Sequence, residues 1–247
     1  MVDIHTHILF HFDDGPKLIE DSLALLRAQV QNGITELVST SHYYSAHMSL
    51  EEFTDRRERR LAALKEAMQG EQINLRIRQG AEVYIDKLIL NLKSLAPLCF
   101  EGTTNILLEL PHQVPDLDEV LQLVERIMSY YNVTPVIAHV ERYDCFLKKI
   151  KNLRYLKDMG CVLQADAGCF LEGFRDKRFA FKALNEGYLD VVASDCHDTD
   201  KRPPNLAAAY EAILKKTDAD TVARLKANAA ALLAPNTGEY KDRSTLL

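Results

Sequence analysis

The chain has 247 residues, of which 47% are hydrophobic and 27% charged, and its formal net charge is −6. This length and composition predict a globular protein with a large core. The acidic balance argues against extended nucleic acid as a partner, because binding a phosphate backbone requires many Lys and Arg side chains. No apolar run approaches the roughly 20 residues of a membrane span and Met1 leads directly into an apolar strand, so we expect a cytoplasmic protein without membrane insertion. The five cysteines are odd in number and lack C-x-x-C spacing, which predicts reduced thiols.

The N-terminal segment MVDIHTHILFHFDDGP concentrates side chains that can bind metals. Because side chains alternate across an extended strand, Asp3, His5 and His7 should share one side of a first strand. Two imidazoles at this spacing can reach one cation at about 2.0–2.1 Å. The DDGP sequence at 13–16 predicts a turn that ends the strand. An isolated H-x-H pair is weak evidence, so a metal site depends on partners further along the chain.

The rest of the chain alternates predicted strands and helices, which brings the number of strand-helix units to about seven. Further strands are expected at 34–40, 75–83, 105–110, 134–139, 161–166 and 189–195. Helices are expected at 19–32, 49–70, 86–95, 115–131, 147–159, 175–186, 206–216 and 219–233. Near-continuous apolar strands between helices predict a parallel sheet buried on both faces. We therefore expect an α/β fold of the barrel type, with no domain boundary within residues 1–247.

The polar exceptions in these apolar strands fall at their carboxyl ends, where barrel enzymes build their sites. They are His5, His7, Asp14, His42, Glu82, Glu109, His139, Asp195 and His197. Taken singly, a strand-end histidine can be a hydrogen-bonded structural residue and a strand-end carboxylate can cap the next helix. Together at one rim, they would be mutually unstable without cations between them. Nine ligands exceed the capacity of one ion, so two or three divalent metals are expected, with Mn²⁺, Fe²⁺ or Zn²⁺ suited to the mixed ligand set.

The order of motifs along the chain resembles a known superfamily. H-x-H is followed by S-H, a Glu after G-A, L-E-L, A-H-V-E-R-Y and S-D-x-H. This order is similar to that of the polymerase-and-histidinol-phosphatase (PHP) superfamily. The DDGP turn, H-V-E-R-Y at 139–143 and K-R-P-P at 201–204 resemble, within it, the bacterial manganese-dependent protein-tyrosine phosphatases of capsule and exopolysaccharide operons. One departure is His11, where members of that family tend to have Asp.

This resemblance implies a distorted (β/α)7 barrel, TIM-barrel-like, with a trinuclear site in which Mn²⁺ is favoured over Fe or Zn. By position, His5, His7, Glu82 and Asp195 would hold one ion. Glu82 would bridge to a second ion held by Glu109 and His139, and a third would be held by Asp14, His42 and His197. Arg142 and Arg202 match the family's phosphate-contacting arginines. The implied partner is a phosphotyrosine protein, a tyrosine autokinase that controls polysaccharide synthesis.

The expected chemistry is hydrolysis of a phosphate ester by a hydroxide that bridges metal ions. A multimetal cluster lowers the pKa of a bridging water from 15.7 toward about 7 and clamps the attacking and leaving oxygens. The two arginines would donate to the non-bridging oxygens, although each alone could equally be a surface ion-pair residue. No cysteine nucleophile is needed for this chemistry, although the C-x5-R spacing of classical tyrosine phosphatases occurs at Cys169–Arg175 and Cys196–Arg202.

Three other functions remain open at this point. A small-molecule phosphatase acting on histidinol phosphate is disfavoured by HFDDGP, which replaces the Cys-Pro-His-Gly type of turn found in that branch. A PHP nuclease or phosphodiesterase is disfavoured by the acidic balance. A metal-binding regulator or scaffold without turnover is disfavoured by the complete ligand set.

Overall fold

The computed structural model describes residues 1–111, 113 and 116–236. The strands are β1 Val2–Thr6, β2 Glu36–Ser39, β3 His42–Tyr43, β4 Arg76–Gln79, β5 Glu82–Tyr84, β6 Asn105–Glu109, β7 Thr134–Ile137, β8 Val162–Asp166 and β9 Val191–Ala193. The α-helices are α1 Ile19–Gln31, α2 Leu50–Gly70, α3 Leu117–Tyr131, α4 Asp144–Lys148, α5 Leu153–Asp158, α6 Gly168–Leu171, α7 Phe174–Asn185, α8 Leu206–Leu214 and α9 Ala219–Ala231. None of the described helices combines the length and apolar composition needed to cross a membrane. All five cysteines are free thiols.

The local signals that predicted α1 and α2 act as expected. The Ser49 side chain accepts a hydrogen bond from the backbone N–H of Glu52 at 3.1 Å, which caps the start of α2. Gly33, with φ +76°, follows α1 in the left-handed conformation that ends many helices. The predicted start of α3 at Pro115 lies outside the described residues.

Two predicted helices are wrong. Residues 86–95 form a short 3₁₀ turn, Lys87–Asn91, because the Asp86 side chain accepts from the N–H groups of Leu88 and Ile89 and holds a tight turn. The predicted helix 147–159 is broken at Lys149, which has φ −143° and ψ 88°. There the side-chain amide of Asn152 donates to the carbonyl of Cys145, so the last turn of α4 finds its partner outside the helix.

Strand pairing is parallel throughout the described residues. It forms a sheet of order β1-β2-β4 and a second of order β3-β5-β6-β7-β8-β9. The strand predicted at 34–40 ends at Ser39 and, after a first interruption at 40–41, the chain continues as β3, whereas the strand predicted at 75–83 has an interruption at 80–81. At the second interruption, a Cβ on Gly80 would lie 2.7 Å from Val38 Cγ1, so only glycine allows the two strands to approach there.

The two outer edges of these sheets meet next to His5 and His7. The N–H of Asp195 donates to the carbonyl of His5 at 3.0 Å, and the N–H of His7 donates to the carbonyl of Cys196 at 2.9 Å. The described residues nevertheless do not form one continuous closed sheet. The predicted α/β class with parallel strands is confirmed, and a closed barrel of seven units stays a prediction.

The strands bury both of their faces. One set of side chains packs together as a small interior cluster, which includes Ile4, Val38, Leu107, Val136 and Val191 and is closed by Ala229 and Leu232 of the α9 region. The opposite set, such as Leu37, Ile106 and Ile137, packs into the larger core under the helices. This arrangement leaves the carboxyl ends of the strands as the surface on which polar residues gather.

Candidate metal centre

A bulge in β1 aims the first two histidines. Pairing with β2 shifts register between Asp3 and Thr6, and such an irregularity re-aims side chains next to functional sites. The Nε2 atoms of His5 and His7 lie 3.2 Å apart in a fully buried position. Asp3, predicted to share their side, instead accepts from the side chain of Gln29 at 2.8 Å and from the N–H of Ser194 at 3.0 Å. The expected common side therefore holds for the histidines but is wrong for Asp3.

The DDGP turn brings two carboxylates to this pair. A Cβ on Gly15 would lie 2.7 Å from the carbonyl oxygen of His7, so only a glycine lets the turn pack against β1. Asp13 Oδ1 accepts from the N–H of Gly15 at 3.0 Å, and Oδ2 lies 3.0 Å from His7 Nδ1. Asp14 Oδ1 lies 3.0 Å from His197 Nε2.

The short strands β3 and β5 carry the next two residues. His42 and Glu82 are direct partners in the register of this pair, and His42 Nδ1 lies 3.0 Å from Glu82 Oε2. Glu109 ends β6, with its carboxylate 3.8 Å from His42 Nδ1 and 3.9 Å from His139 Nε2. His139 Nε2 is 2.7 Å from Glu82 Oε1, so Glu82 stands in the middle of the histidines.

His139 and Asp195 sit just beyond their strands with positive φ values of 33° and 51°. The left-handed region costs free energy for a residue with a Cβ, and such strain is found mostly at functional sites. The sequence predicted both as strand ends, whereas the structure places both in sharp backbone turns that redirect the side chain. Such turns follow from the packing around them and leave no signal in the local sequence.

The nine predicted ligands converge at one end of the sheets. Atoms within 4.8 Å of one another define three groups: His5, His7, Glu82 and Asp195; His7, Asp14, His42 and His197; and His42, Glu82 and Glu109. The first group has the membership expected for one ion. The group of His7, Asp14, His42 and His197 contains the three residues expected for the third ion, together with His7. In the group of His42, Glu82 and Glu109, His42 takes the place expected for His139, whose Nε2 nevertheless contacts Glu82.

The spacing of the donor atoms fits divalent cations. Glu82 Oε2 is 3.2 Å from both His5 Nε2 and His7 Nε2, and Asp195 Oδ1 is 3.2 Å from His5 Nε2. Ligands about 2.1 Å from one ion lie roughly 3.0–3.4 Å from each other. In addition, Asp195 Oδ1 and His197 Nε2 are buried without a partner in hydrogen-bond geometry among the described residues. Buried polar atoms of this kind call for a bound ion or solvent.

The electrostatics of the centre are those of a site built for cations. Burial would raise the pKa of Glu82 and Asp195, but the adjacent histidines, His5 first, hold both well below their ordinary range. Burial opposes protonation of His42, yet Asp14 and Glu82 raise its pKa to about 9. The pKa of Tyr44 is raised by burial and by the carboxylates of Glu109, Glu82 and Asp14, so its phenol stays protonated.

The two predicted arginines lie at one edge of this centre. Arg142 Nη2 donates to Asp166 Oδ2 and to Asp195 Oδ2. Arg202 donates to the same Asp195 oxygen through Nη2 and to Asp14 Oδ2 through Nη1, the latter at 3.2 Å. Both guanidinium groups are only about one third exposed, with side-chain values of 37% and 35%. They are therefore placed to act on an anion bound over the centre.

Sequence reasoning missed three residues that support the centre. Asp13 orients His7, Gln164 contacts His5 and His139, and Asp166 holds Arg142. Asp166 ends an apolar strand and thus had the same signal as the predicted ligands, and Asp13 adjoins one of them. Gln164 lies inside β8 and nothing in the sequence distinguishes it. His11, where the family tends to have Asp, is exposed, and its carbonyl accepts from Arg56 at 2.6 Å.

The fold and the ligand-rich end of its sheets define the class of α/β metal-dependent hydrolases. The chain belongs to the capsular polysaccharide synthesis family CpsB/CapC, whose sequence profile matches residues 1–234. The family resemblance expected from the motifs is thereby confirmed.

Named relatives agree with this membership. The tyrosine-protein phosphatase CpsB of Streptococcus agalactiae is 33% identical over 223 residues, which is 87% of this chain and 90% of that protein. The tyrosine-protein phosphatase CpsB of Streptococcus pneumoniae is 34% identical over 235 residues, with the same coverage. A crystal structure from work on YwqE of Bacillus subtilis and CpsB of S. pneumoniae, described there as unique metal-dependent tyrosine phosphatases, matches with a TM-score of 0.84. That match has 27% identity and covers 98% of this chain and 97% of the other.

Proposed function

We propose that this protein is a metal-dependent protein-tyrosine phosphatase that hydrolyses phosphotyrosine on a protein. The observation that carries the proposal is the convergence of five histidines and four carboxylates, eight of them in three overlapping groups and His139 in contact with Glu82, with two arginines at the edge. The names of the CpsB relatives support the same reaction. A thiol mechanism has no support, because burial raises the pKa of Cys145, Cys161, Cys169 and Cys196.

In the proposed site, His5, His7, Glu82 and Asp195 hold one ion, Glu82 with Glu109 and His139 a second, and Asp14, His42 and His197 a third. Two or three ions fit this set, and Mn²⁺, Fe²⁺ or Zn²⁺ suits its mixture of nitrogen and oxygen donors. Bound divalent ions make water nucleophilic near neutral pH and neutralise charge on the phosphoryl oxygens.

The residues of the chain supply position and charge. When a phosphate binds, Arg142 and Arg202 give up part of their contact with Asp195. Their N–H groups then donate to the non-bridging oxygens of the phosphate. Asp166 keeps Arg142 at the rim, and Asp14 does the same for Arg202. A phenolate leaving group, from a phenol of pKa about 10, needs less protonation than an alkoxide, which favours aryl esters.

The test compares substrates and metals. The purified chain should be treated with chelator, reloaded with Mn²⁺, Fe²⁺ or Zn²⁺, and assayed on phosphotyrosine peptide, p-nitrophenyl phosphate, histidinol phosphate and an oligonucleotide. We expect turnover of the two aryl phosphates, loss of it after chelation, and recovery with one of the three metals. Faster hydrolysis of histidinol phosphate or of the oligonucleotide would assign the site to another reaction, and no turnover at all would leave a binding protein.

We further propose a distorted barrel of seven strand units and a single domain spanning 1–247. Support comes from the interrupted pairs β2–β3 and β4–β5, each acting as one unit, and from the hydrogen bonds between the His5–His7 segment and Asp195–Cys196. A phosphorylated tyrosine autokinase is the proposed substrate protein and the cytoplasm the proposed location. Capsule synthesis in the family name and the set of five free thiols support these two points.

A further inference from the structure

A cavity with four aromatic side chains and Met48 in its lining, beside Asp13, Asp14, His42 and His47, opens next to the metal centre. It has a volume of about 460 Å³ and is bounded by Asp14 and His42, two of the proposed ligands, at one end. Its walls include Phe12, Tyr43 and Tyr44. Cavities of this size and composition are typical of sites for small apolar groups.

The walls of this cavity are fixed by ring packing. Phe53, fully buried, contacts Phe12 with a centroid distance of 5.3 Å and Tyr43 with a distance of 5.1 Å, both edge to face. Tyr44 is only partly buried, and its ring lies 5.4 Å from that of His42 and 5.6 Å from that of His47. A rigid back wall and the partly buried ring of Tyr44 form a slot for another aromatic ring.

The position of the arginines decides which side of the centre the cavity serves. Both guanidinium groups contact Asp195, and Arg202 also donates to Asp14, which bounds the cavity. A phosphate held by the two arginines therefore has the cavity next to it, on the side of Asp14 and His42. The opening next to Arg142, of about 690 Å³, is lined by five carboxylates and two arginines and suits an aromatic ring poorly.

We propose that this cavity binds the phenyl ring of the phosphotyrosyl substrate, with Tyr44 as the side chain that stacks on it and determines specificity for aryl esters. The inference rests on the proposed function, since it assigns the leaving group of that reaction. It adds a subsite that recognises the ring independently of the phosphate.

Binding of two phosphonates that are not hydrolysed tests this subsite without turnover. Calorimetry on the metal-loaded protein compares phenylphosphonate with methylphosphonate. In the unchanged protein we expect phenylphosphonate to bind more tightly. In Tyr44→Ala this preference should fall by roughly fivefold to tenfold, the range expected for one aromatic pair, with the affinity for methylphosphonate unchanged. Tyr44→Phe, which keeps the ring, should retain the preference.

The control is Tyr155→Ala, since Tyr155 is an exposed tyrosine on α5 at 53% exposure and should leave both affinities unchanged. If Tyr44→Ala loses its fold by circular dichroism, Met48→Ala replaces it, because Met48 also lines the cavity and should lower the preference by a smaller factor.

Three results would overturn the assignment: no preference in the unchanged protein, a preference that survives in Tyr44→Ala, or one that is lost in Phe174→Ala, an exposed aromatic residue that does not line the cavity. Failure of the proposed function is seen separately. A protein that prefers phenylphosphonate but never hydrolyses phosphotyrosine peptide has the ring subsite without the phosphatase reaction. A protein that hydrolyses the peptide but shows no preference for phenylphosphonate has the phosphatase reaction without the ring subsite.

Discussion

Gln164 Oε1 lies 3.2 Å from Nδ1 of His5 beneath the metal centre. The same oxygen accepts a hydrogen bond from the backbone N–H of His139 at 2.9 Å. A backbone N–H can only donate, so the atom facing it is the amide oxygen, and the proton of His5 must therefore be on Nδ1. This leaves the lone pair of His5 Nε2 directed at Glu82 and Asp195. The amide nitrogen of Gln164 donates to Asp166, which in turn holds Arg142.

We predict that Gln164→Leu lowers the affinity for metal by about 10- to 100-fold, the range typical for partners that orient a ligand. The substitution removes the acceptor that fixes His5 and the acceptor of the backbone N–H of His139. The affinity is measured by titrating metal into the metal-free protein in a calorimeter. Gln164→Glu keeps an acceptor oxygen but places a carboxylate against Asp166, so it should affect phosphate binding more than metal binding. Unchanged metal affinity in Gln164→Leu would show that His5 is oriented by other contacts.

The matched control for Gln164→Leu is Gln122→Leu. Gln122 is exposed on α3, and the same change there should leave metal affinity unaltered. A similar loss in both variants would point to a general effect of the substitution.

The arginines give a second prediction. Arg142→Ala and Arg202→Ala should each lower kcat/KM on phosphotyrosine peptide by about 100- to 1000-fold, because each removes a charged donor that acts on the transition state. Arg154→Ala is the control, since this arginine is 74% exposed and pairs only with Asp158 among the described residues. Steady-state kinetics together with the metal content of each variant makes the comparison. If kcat/KM falls only in proportion to the metal content of the variants, the arginines support the metal centre and do not act on the phosphate.

Gly15 provides a prediction about stability. In Gly15→Ala the new Cβ would lie 2.7 Å from the carbonyl oxygen of His7, so the DDGP turn must shift and carry Asp13 and Asp14 with it. Overpacking of this kind costs roughly 1–3 kcal/mol of the free energy of unfolding, and metal affinity should fall as well. Gly70→Ala, at the end of α2 with no atom within 4 Å, should be neutral or stabilise by up to about 1 kcal/mol. Urea unfolding of both variants measures the difference, and equal stabilities would contradict the close approach.

The raised pKa of His42 predicts the pH dependence of metal binding. Its pKa of about 9 in the metal-free protein lies above its ordinary 6.5, so the stability it contributes is fully present below 6.5 and is lost as pH rises through 9. Metal binding needs the neutral ring and has the opposite sign. Between pH 6.5 and 9 the dissociation constant for Mn²⁺ should fall by about tenfold per pH unit for each displaced proton. Calorimetry in buffers of different ionisation enthalpy counts these protons, and a flat profile would show that His42 is already neutral.

The predictions from sequence are correct where a single residue at one position determines the local structure. Ser49 caps α2, Gly33 ends α1, and the apolar strands predict a sheet buried on both faces. The strand ends identified the nine candidate ligands, because side chains at the carboxyl ends of parallel strands meet at one edge whatever the details of packing. The two arginines were identified from the family resemblance alone. The predicted helices at 86–95 and 147–159 failed because the side chains of Asp86 and Asn152 hydrogen-bond to the backbone there in place of helical partners.

The amino-acid sequence by itself determined the parallel α/β class, the family and the set of candidate metal-binding side chains, since these follow from periodicity, from the order of the motifs and from chemistry repeated at the strand ends. Only the tertiary structure decided how those side chains are aimed. The bulge in β1, the positive φ of His139 and Asp195, and the contact of Gln164 with His5 all depend on segments far apart in the chain. Distances of about 3 Å between ligands are set by packing between such segments, and no local pattern of residues encodes them.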